Sequence, residues 1–97
     1  MGWASHAIEK LQANEIVTIK PRGSSMKGRV EDGQEVVIRP VDHGSLIVGD
    51  VVLCRIRGRE YLHLIKAIDN TRFLIGNNKG GVNGWIGKNG IFGRADV

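Results

Sequence analysis

Residues 51–68 read VVLCRIRGREYLHLIKAI, and this stretch decides the fold because a turn signal separates two apolar runs. Short apolar runs that are rich in Val and Ile and bounded by glycine are typical of β-strands. With Gly58 and Arg59 as a two-residue turn, the two runs form a β-hairpin in which Cys54 lies opposite His63. Such a pair can form a thiolate or half of a metal site. No third ligand follows at the required spacing, so a packed core cysteine beside a hydrogen-bonded histidine is favoured.

The same register places one lysine in an apolar row. Because side chains alternate between the faces of a strand, one face of the hairpin carries Leu62, Leu64, Lys66, Ile68, Val51 and Leu53, with Val51 opposite Lys66. A lysine in such a row extends to the sheet edge, pairs with a carboxylate, or loses its proton because apolar surroundings solvate its charge poorly. The first two outcomes are structural and the third is catalytic, and the pattern leaves all three open.

The rest of the chain consists of short strand patterns joined by tight turns, after one N-terminal helix. Ile8 and Leu11 form the apolar side of a predicted helix over Trp3–Ala13, with Ser5 as a candidate cap. Strands are predicted near Ile16–Lys20, Glu35–Arg39, Val51–Arg57, Tyr61–Ile68, Phe73–Gly76 and Ile91–Gly93. Between them, Asp-Gly and Asn-Gly pairs such as Asn83-Gly84 predict turns. We therefore predict a mostly β fold, a small and strongly bent sheet or partly open barrel with one short helix.

Length and composition indicate one domain, with a helix or arm over residues 1–14 and a β domain over 15–97. There are 14 basic and 10 acidic residues, which gives a net charge of +4. Only Arg55, Arg57 and Arg59 cluster, and aromatic residues make up just 5% of the chain, so nucleic-acid binding is disfavoured. The single cysteine excludes an internal disulfide. With no signal peptide or long apolar segment, we expect a cytoplasmic protein without a membrane anchor.

A second candidate feature lies upstream of the hairpin, where Gly23-Ser24-Ser25-Met26 follows a predicted strand. Alone, such a loop is usually an ordinary turn, but here it opens an ordered series of short segments. The series continues with Glu35-Val36-Val37-Ile38, Val48-Gly49-Asp50-Val51-Val52-Leu53, Leu64-Ile65-Lys66-Ala67-Ile68, Ile75-Gly76-Asn77-Asn78 and Ile91-Phe92-Gly93-Arg94-Ala95. The ordered set, from Ile16 to Ala95, resembles the Ser-Lys peptidase superfamily of the LexA-type self-cleaving repressors and the type I signal peptidases.

The resemblance implies a fold of the LexA C-terminal or signal-peptidase type and a serine endopeptidase that cleaves another polypeptide. Ser25 is then the nucleophile and Lys66, in its neutral form, the general base. The backbone N–H groups of Ser25 and Met26 form the oxyanion hole. No cofactor or metal is implied. The substrate is a polypeptide bound as an extended strand, and a free sheet edge can also mediate a homodimer.

Several positions depart from the family pattern. Lys27-Gly28 stands where signal peptidases usually carry proline, and Asn77 stands where they show aspartate. The Ala-Gly and Cys-Gly dipeptides at which LexA-like proteins cut themselves do not occur, which disfavours self-cleavage. Two alternatives therefore remain beside the peptidase. The first is an inactive peptidase-fold module for protein interaction, and the second is a small β-barrel that binds nucleic acid through Arg55, Arg57 and Arg59.

Overall fold

The computed structural model of the protein describes residues 4–23 and 26–97. Within these residues one helix, α1 (Ser5–Gln12), precedes seven strands. The strands are β1 (Val17–Ile19), β2 (Val36–Pro40), β3 (Val51–Ile56), β4 (Arg59–Asp69), β5 (Arg72–Gly76), β6 (Val82–Gly87) and β7 (Ile91–Ala95). Short 3-10 turns occupy His43–Ser45 and Lys88–Gly90. The prediction of a mostly β chain with one short N-terminal helix is confirmed.

Helix α1 packs its apolar side on the sheet. Ala7, Ile8 and Leu11 are buried, as their helical spacing predicts. Ala4 occupies the N-cap position, and no side chain in the described residues caps the helix, so the expectation that Ser5 caps it was wrong. The predicted start at Trp3 lies outside the described residues. At the other end Asn14 adopts a positive φ of 64°, a conformation that ends helices and that asparagine tolerates.

The strands form one sheet in the order β1-β2-β7-β3-β4-β5-β6, and every neighbouring pair is antiparallel. Strands β6 and β7 lie far apart in this order but are joined only by Lys88–Gly90. In a flat sheet, four strand spacings of about 4.8 Å would separate them by about 19 Å. The chain from Gly87 to Ile91 spans at most about 14 Å even when fully extended. The sheet must therefore curve strongly, which agrees with the predicted bend.

The central hairpin differs from the predicted register by two residues. Arg57 and Gly58 form the turn, with φ of 52° and 80°, as a type I′ turn requires. Cys54 consequently lies opposite Tyr61 rather than His63, and Val51 opposite Leu64 rather than Lys66. A shift by two keeps every side chain on its predicted face, because strand side chains alternate with a period of two.

The sequence did not predict strand β6, whose Asn83-Gly84 pair was interpreted as a turn. These residues instead form an irregularity within the strand. Gly84 pairs with Ile75 and Val82 with Gly76, so Asn83 is an extra residue in a β-bulge. Gly84 has a φ of 137°, which a residue with a side chain rarely adopts. The Asn-Gly signal therefore marked a bulge, which needs the same backbone freedom as a turn.

Two hydrophobic cores form, one on each face of the curved sheet. The helix-side core contains Ala4, Ala7, Ile8, Leu11, Val17, Met26, Val30, Val36, Ile38, Val51, Leu53, Leu62, Leu64 and Ala95. The second core contains Leu46, Val52, Cys54, Ile56, Ile65, Phe73, Ile75 and Ile91. Strands β3 and β4 contribute alternate residues to both cores, so the packing of both cores depends on these two strands.

Candidate functional site

The predicted nucleophile Ser25, with its share of the oxyanion hole, lies outside the described residues, as does Ser24. The chain on both sides of this segment is described. Met26 is only 4% exposed and belongs to the helix-side core. Its carbonyl accepts hydrogen bonds from the backbone N–H groups of Arg29 (2.9 Å) and Val30 (2.7 Å), which fixes the turn after the segment. The turn therefore anchors Met26 directly beside the predicted nucleophile.

Lys66 is the extra residue of a second β-bulge. Ile65 pairs with Ile75 and Ala67 with Leu74, which leaves Lys66 without a direct partner across β5. The predicted apolar row therefore holds for Leu62 and Leu64 but fails for Ile68. The bulge turns Ile68 to the other face, opposite Phe73 of the second core.

The stem of Lys66 lies over Gly76. A Cβ atom built at Gly76 would lie 2.9 Å from Cε of Lys66 and 3.2 Å from its Cγ, so a side chain at this position would displace the lysine. The same Cβ would also collide with the carbonyl oxygen of Gly81. The absence of a side chain at Gly76 thus allows the lysine and the backbone of the following loop to come together.

The loop over residues 77–81 connects this lysine with the segment after Met26. The Asn77 Oδ1 atom accepts hydrogen bonds from the backbone N–H groups of Lys79 and Gly81, both at 2.8 Å. The Asn78 side-chain amide donates to the carbonyl oxygen of Lys27 at 2.8 Å. The loop over residues 77–81 therefore forms a bridge between Lys27, which follows Met26, and the region of β4 and β5 around Lys66.

A pocket of about 350 Å³ is lined by residues that precede and follow the Ser24–Ser25 segment in the sequence. Its lining consists of residues 20–23, Met26, Val30 and Glu31, together with residues 60–63 of β4. This part of β4 has an open edge. Strand β5 pairs with β4 only from Leu64 onward, so within the described residues no strand covers the outer edge of residues 60–63. Because hydrogen-bonding directions alternate along a strand, the backbone groups of Glu60 and Leu62 face this open edge.

His63 is buried at the wall of this pocket. It is 6% exposed, and its ring stacks on Tyr61 with 4.8 Å between centroids. Its Nδ1 lies 2.9 Å from Oδ1 of Asn83, the bulge residue of β6. Burial lowers the pKa of His63 below its ordinary value. The hydrogen bond to Asn83 opposes this effect, and the charge of Lys66 lowers the pKa further. The sequence favoured a hydrogen-bonded histidine, but no local signal connected it to Asn83, which lies 20 positions away.

Cys54 and His63, which the sequence analysis placed opposite each other, are not direct partners in the structure. Burial raises the pKa of the Cys54 thiol to about 12, and its Sγ donates to the Tyr61 carbonyl oxygen at 3.6 Å. His63 lies opposite Val52, two pairs further along the hairpin than the Cys54–Tyr61 pair. In the part of the chain that is described, no group of three His, Cys, Asp or Glu residues could hold a metal ion. The first of the clustered arginines, Arg55, pairs with Glu60 at 2.8 Å and lies over the Phe92 ring.

No protein-family model matches this chain, and comparisons with curated proteins and with solved structures also return no match. Over residues 4–23 and 26–97, no helix has the length and apolar character needed to cross a membrane. The geometry of the site is therefore the basis for assigning a function.

Proposed function

We propose that the protein is a serine endopeptidase that uses Ser25 and Lys66 to cleave a peptide bond in another polypeptide. The observation that carries the proposal is the open edge of β4, since it borders a pocket that Gly23 and Met26 also line. These two residues flank the Ser24–Ser25 segment. An extended peptide on this edge would pass beside Gly23 and Met26.

The open edge suits a peptide because strand addition uses backbone hydrogen bonds that do not depend on the peptide sequence. The backbone groups of Glu60 and Leu62 would bind the peptide, while the apolar side chains of Met26, Val30 and Leu62 would contact its side chains. We expect small residues before the cleaved bond, by family resemblance alone.

In the proposed reaction the Ser25 hydroxyl attacks the peptide carbonyl and Lys66 accepts the hydroxyl proton. The backbone N–H groups of Ser25 and Met26 stabilise the oxyanion. The chemistry is supported by the bridge described above, in which Asn78 binds Lys27 while the stem of Lys66 lies over Gly76. A lysine accepts a proton only in its neutral form, so this route is expected to gain rate toward alkaline pH.

The test is hydrolysis of fluorogenic extended peptides at pH 9. Ser25→Ala should abolish cleavage, and Lys66→Ala should lower kcat/KM by about 100-fold or more, because general-base catalysis contributes about 10²–10⁴-fold. The matched controls Ser24→Ala and Lys88→Ala should leave the rate within about twofold, since the proposed chemistry does not use these residues. Equal cleavage by wild type and Ser25→Ala would exclude the proposed nucleophile.

A second candidate function is peptide binding without cleavage. The open edge of β4 favours it as well, because strand addition needs no nucleophile. Lys27, which adds a charge beside the Ser-Met loop, also favours this candidate. If this candidate is right, peptides bind wild type and Ser25→Ala with equal affinity and remain intact. N-methylation of alternate peptide residues should weaken that binding, because it removes backbone donors.

A further inference from the structure

Four exposed cations lie at or next to the pocket beside the open edge of β4. Lys20 and Arg22 line this pocket. Arg57 and Arg59 lie at the hairpin turn, immediately before the pocket-lining residue Glu60. All four cationic residues are exposed, and over residues 4–23 and 26–97 none of them forms an ion pair. Their charges are therefore accessible to a ligand that binds at this edge.

The two carboxylates that line the same pocket already have partners within the protein. Glu60 pairs with Arg55 at 2.8 Å, and its side chain is only 9% exposed. The Oε2 atom of Glu31 accepts a hydrogen bond from the backbone N–H of Gly28 at 2.9 Å. The pocket therefore combines cations that have no partner with carboxylates that do. Such a surface is complementary to a ligand that carries negative charge.

The open edge of β4 favours a peptide over other anionic ligands. A peptide that adds as a strand beside residues 60–62 lies along the pocket and offers both backbone donors and backbone acceptors to the edge. The phosphate groups of a nucleic acid only accept hydrogen bonds, so they would leave the carbonyl groups of the edge unpaired. Alternate side chains of an extended peptide point to the same face, so acidic residues at every second position can reach one group of cations.

We propose that the open edge of β4 selects acidic peptides, whose Glu or Asp side chains pair with Lys20 and Arg22. The inference rests on the proposed function, since it names the class of polypeptide that binds at this edge, and it needs no catalytic step. Arg57 and Arg59 extend the positive surface past the end of the pocket. The arginine cluster of the sequence thereby has two roles, because Arg55 neutralises Glu60 while the other two arginines face solvent.

The test measures the binding of short, dye-labelled peptides with blocked termini by fluorescence anisotropy. Three peptides share an alternating Val-Thr sequence and differ only at two of the Thr positions, which carry Glu, Gln or Lys. We expect the Glu peptide to bind about 10-fold more tightly than the Gln peptide, because an exposed charge pair contributes about 1.5- to fivefold. The Lys peptide should bind more weakly than both. The advantage of the Glu peptide should shrink between about 50 mM and about 200 mM salt, which screens exposed charges.

Charge removal and charge reversal identify the cations, with folding verified by circular dichroism. The double variant Lys20→Gln/Arg22→Gln should weaken binding of the Glu peptide about fivefold or more and leave the Gln peptide within about twofold. The reversal Lys20→Glu/Arg22→Glu should bind the Lys peptide more tightly than the Glu peptide, which a merely structural role would not produce. The matched control Lys10→Gln/Lys88→Gln loses the same net charge, but neither residue lines the pocket, so it should keep the preference for Glu.

The outcomes separate this inference from the proposed function. Equal binding of the Glu and Gln peptides at low salt, or a Glu preference that survives the charge reversal, overturns the inference and leaves peptide binding at the edge standing. Single-stranded DNA that binds as tightly as the Glu peptide, together with Glu-peptide binding that N-methylation does not weaken, indicates a general polyanion surface and also overturns it. A Glu preference without any cleavage supports the inference and removes only the peptidase. If no peptide is bound or cleaved, both are overturned.

Discussion

Asn77 illustrates how a single side chain shapes the site. Its position is the one at which the type I signal peptidases that the sequence resembles show aspartate, and the missing carboxylate favours the hypothesis of an inactive protein. In this structure the Asn77 amide oxygen accepts two backbone hydrogen bonds within its own loop, from Lys79 and Gly81. A carboxamide oxygen can accept the same hydrogen bonds as a carboxylate oxygen. Each bond is weaker, because the carboxamide is neutral. The loop is therefore held by Asn77 without a negative charge, and the absence of aspartate is a weaker argument for inactivity than the sequence suggested.

The burial of Cys54 leads to a prediction about the reactivity of its thiol. The thiol is fully buried, and burial raises its pKa to about 12, so almost no reactive thiolate exists at pH 8. We expect the native protein to react with a thiol-specific disulfide reagent at least about 100-fold more slowly than the protein in guanidinium chloride, where the thiol regains its ordinary pKa near 8.5. Absorbance at pH 8 measures both rates. Comparable rates in the two conditions would mean that the thiol is accessible and that its burial is misassigned.

Among the structural elements, the bulges at Lys66 and Asn83 had the largest effect on what the sequence could predict. Strand positions and the alternation of Leu62 and Leu64 were predictable, because they depend on local apolar patterning. The bulges at Lys66 and Asn83 were not, since an extra residue in a strand depends on the partner strand, which lies elsewhere in the chain. For the same reason Ile68 was assigned to the wrong face. The link between His63 and Asn83 depends on a bulge in a strand that the sequence did not predict.

Gly76 tests whether the bulge and the loop behave as one unit. A methyl group here would collide with the carbonyl oxygen of Gly81 and with the stem of Lys66. We expect Gly76→Ala to lower the free energy of unfolding by about 1–3 kcal/mol, the usual cost of overpacking. It should also lower the proposed peptidase activity, because Lys66 must move. The matched control is Gly87→Ala, where a Cβ meets nothing within 4 Å and the backbone is extended. This control should stay within about 0.5 kcal/mol of wild type. Urea unfolding measures the free energy of unfolding of both variants. If Gly76→Ala is as stable as wild type, the crowded geometry at Gly76 is contradicted.

At the scale of the whole molecule, the curvature of the sheet lets a short connection join two strands, β6 and β7, that lie far apart in the order of the sheet. The short connection at Lys88–Gly90 returns the chain from the outer strand β6 to the central strand β7. The curved sheet thereby has a core on each face, and β3 and β4 supply alternate residues to both. Because neither core can lose these strands and persist, the two cores should unfold together. A chain of this length has a total stability of about 5–15 kcal/mol, so a single large cavity in either core removes a substantial share of it.

The shared strands lead to a prediction that compares one residue from each core. Leu53 lies in the helix-side core and Ile75 in the second core, and both side chains are fully buried. We expect Leu53→Ala and Ile75→Ala each to lower the free energy of unfolding by about 2–5 kcal/mol, through lost burial and the cavity that remains. The control Ile47→Ala truncates a side chain that is 64% exposed and should cost no more than about 0.5 kcal/mol. In urea, far-ultraviolet circular dichroism and tryptophan fluorescence should give coincident single transitions for all four proteins, with the same dependence on denaturant. Two separated transitions in either core variant would mean that the cores unfold independently. In that case the alternation of β3 and β4 between the faces would not couple them.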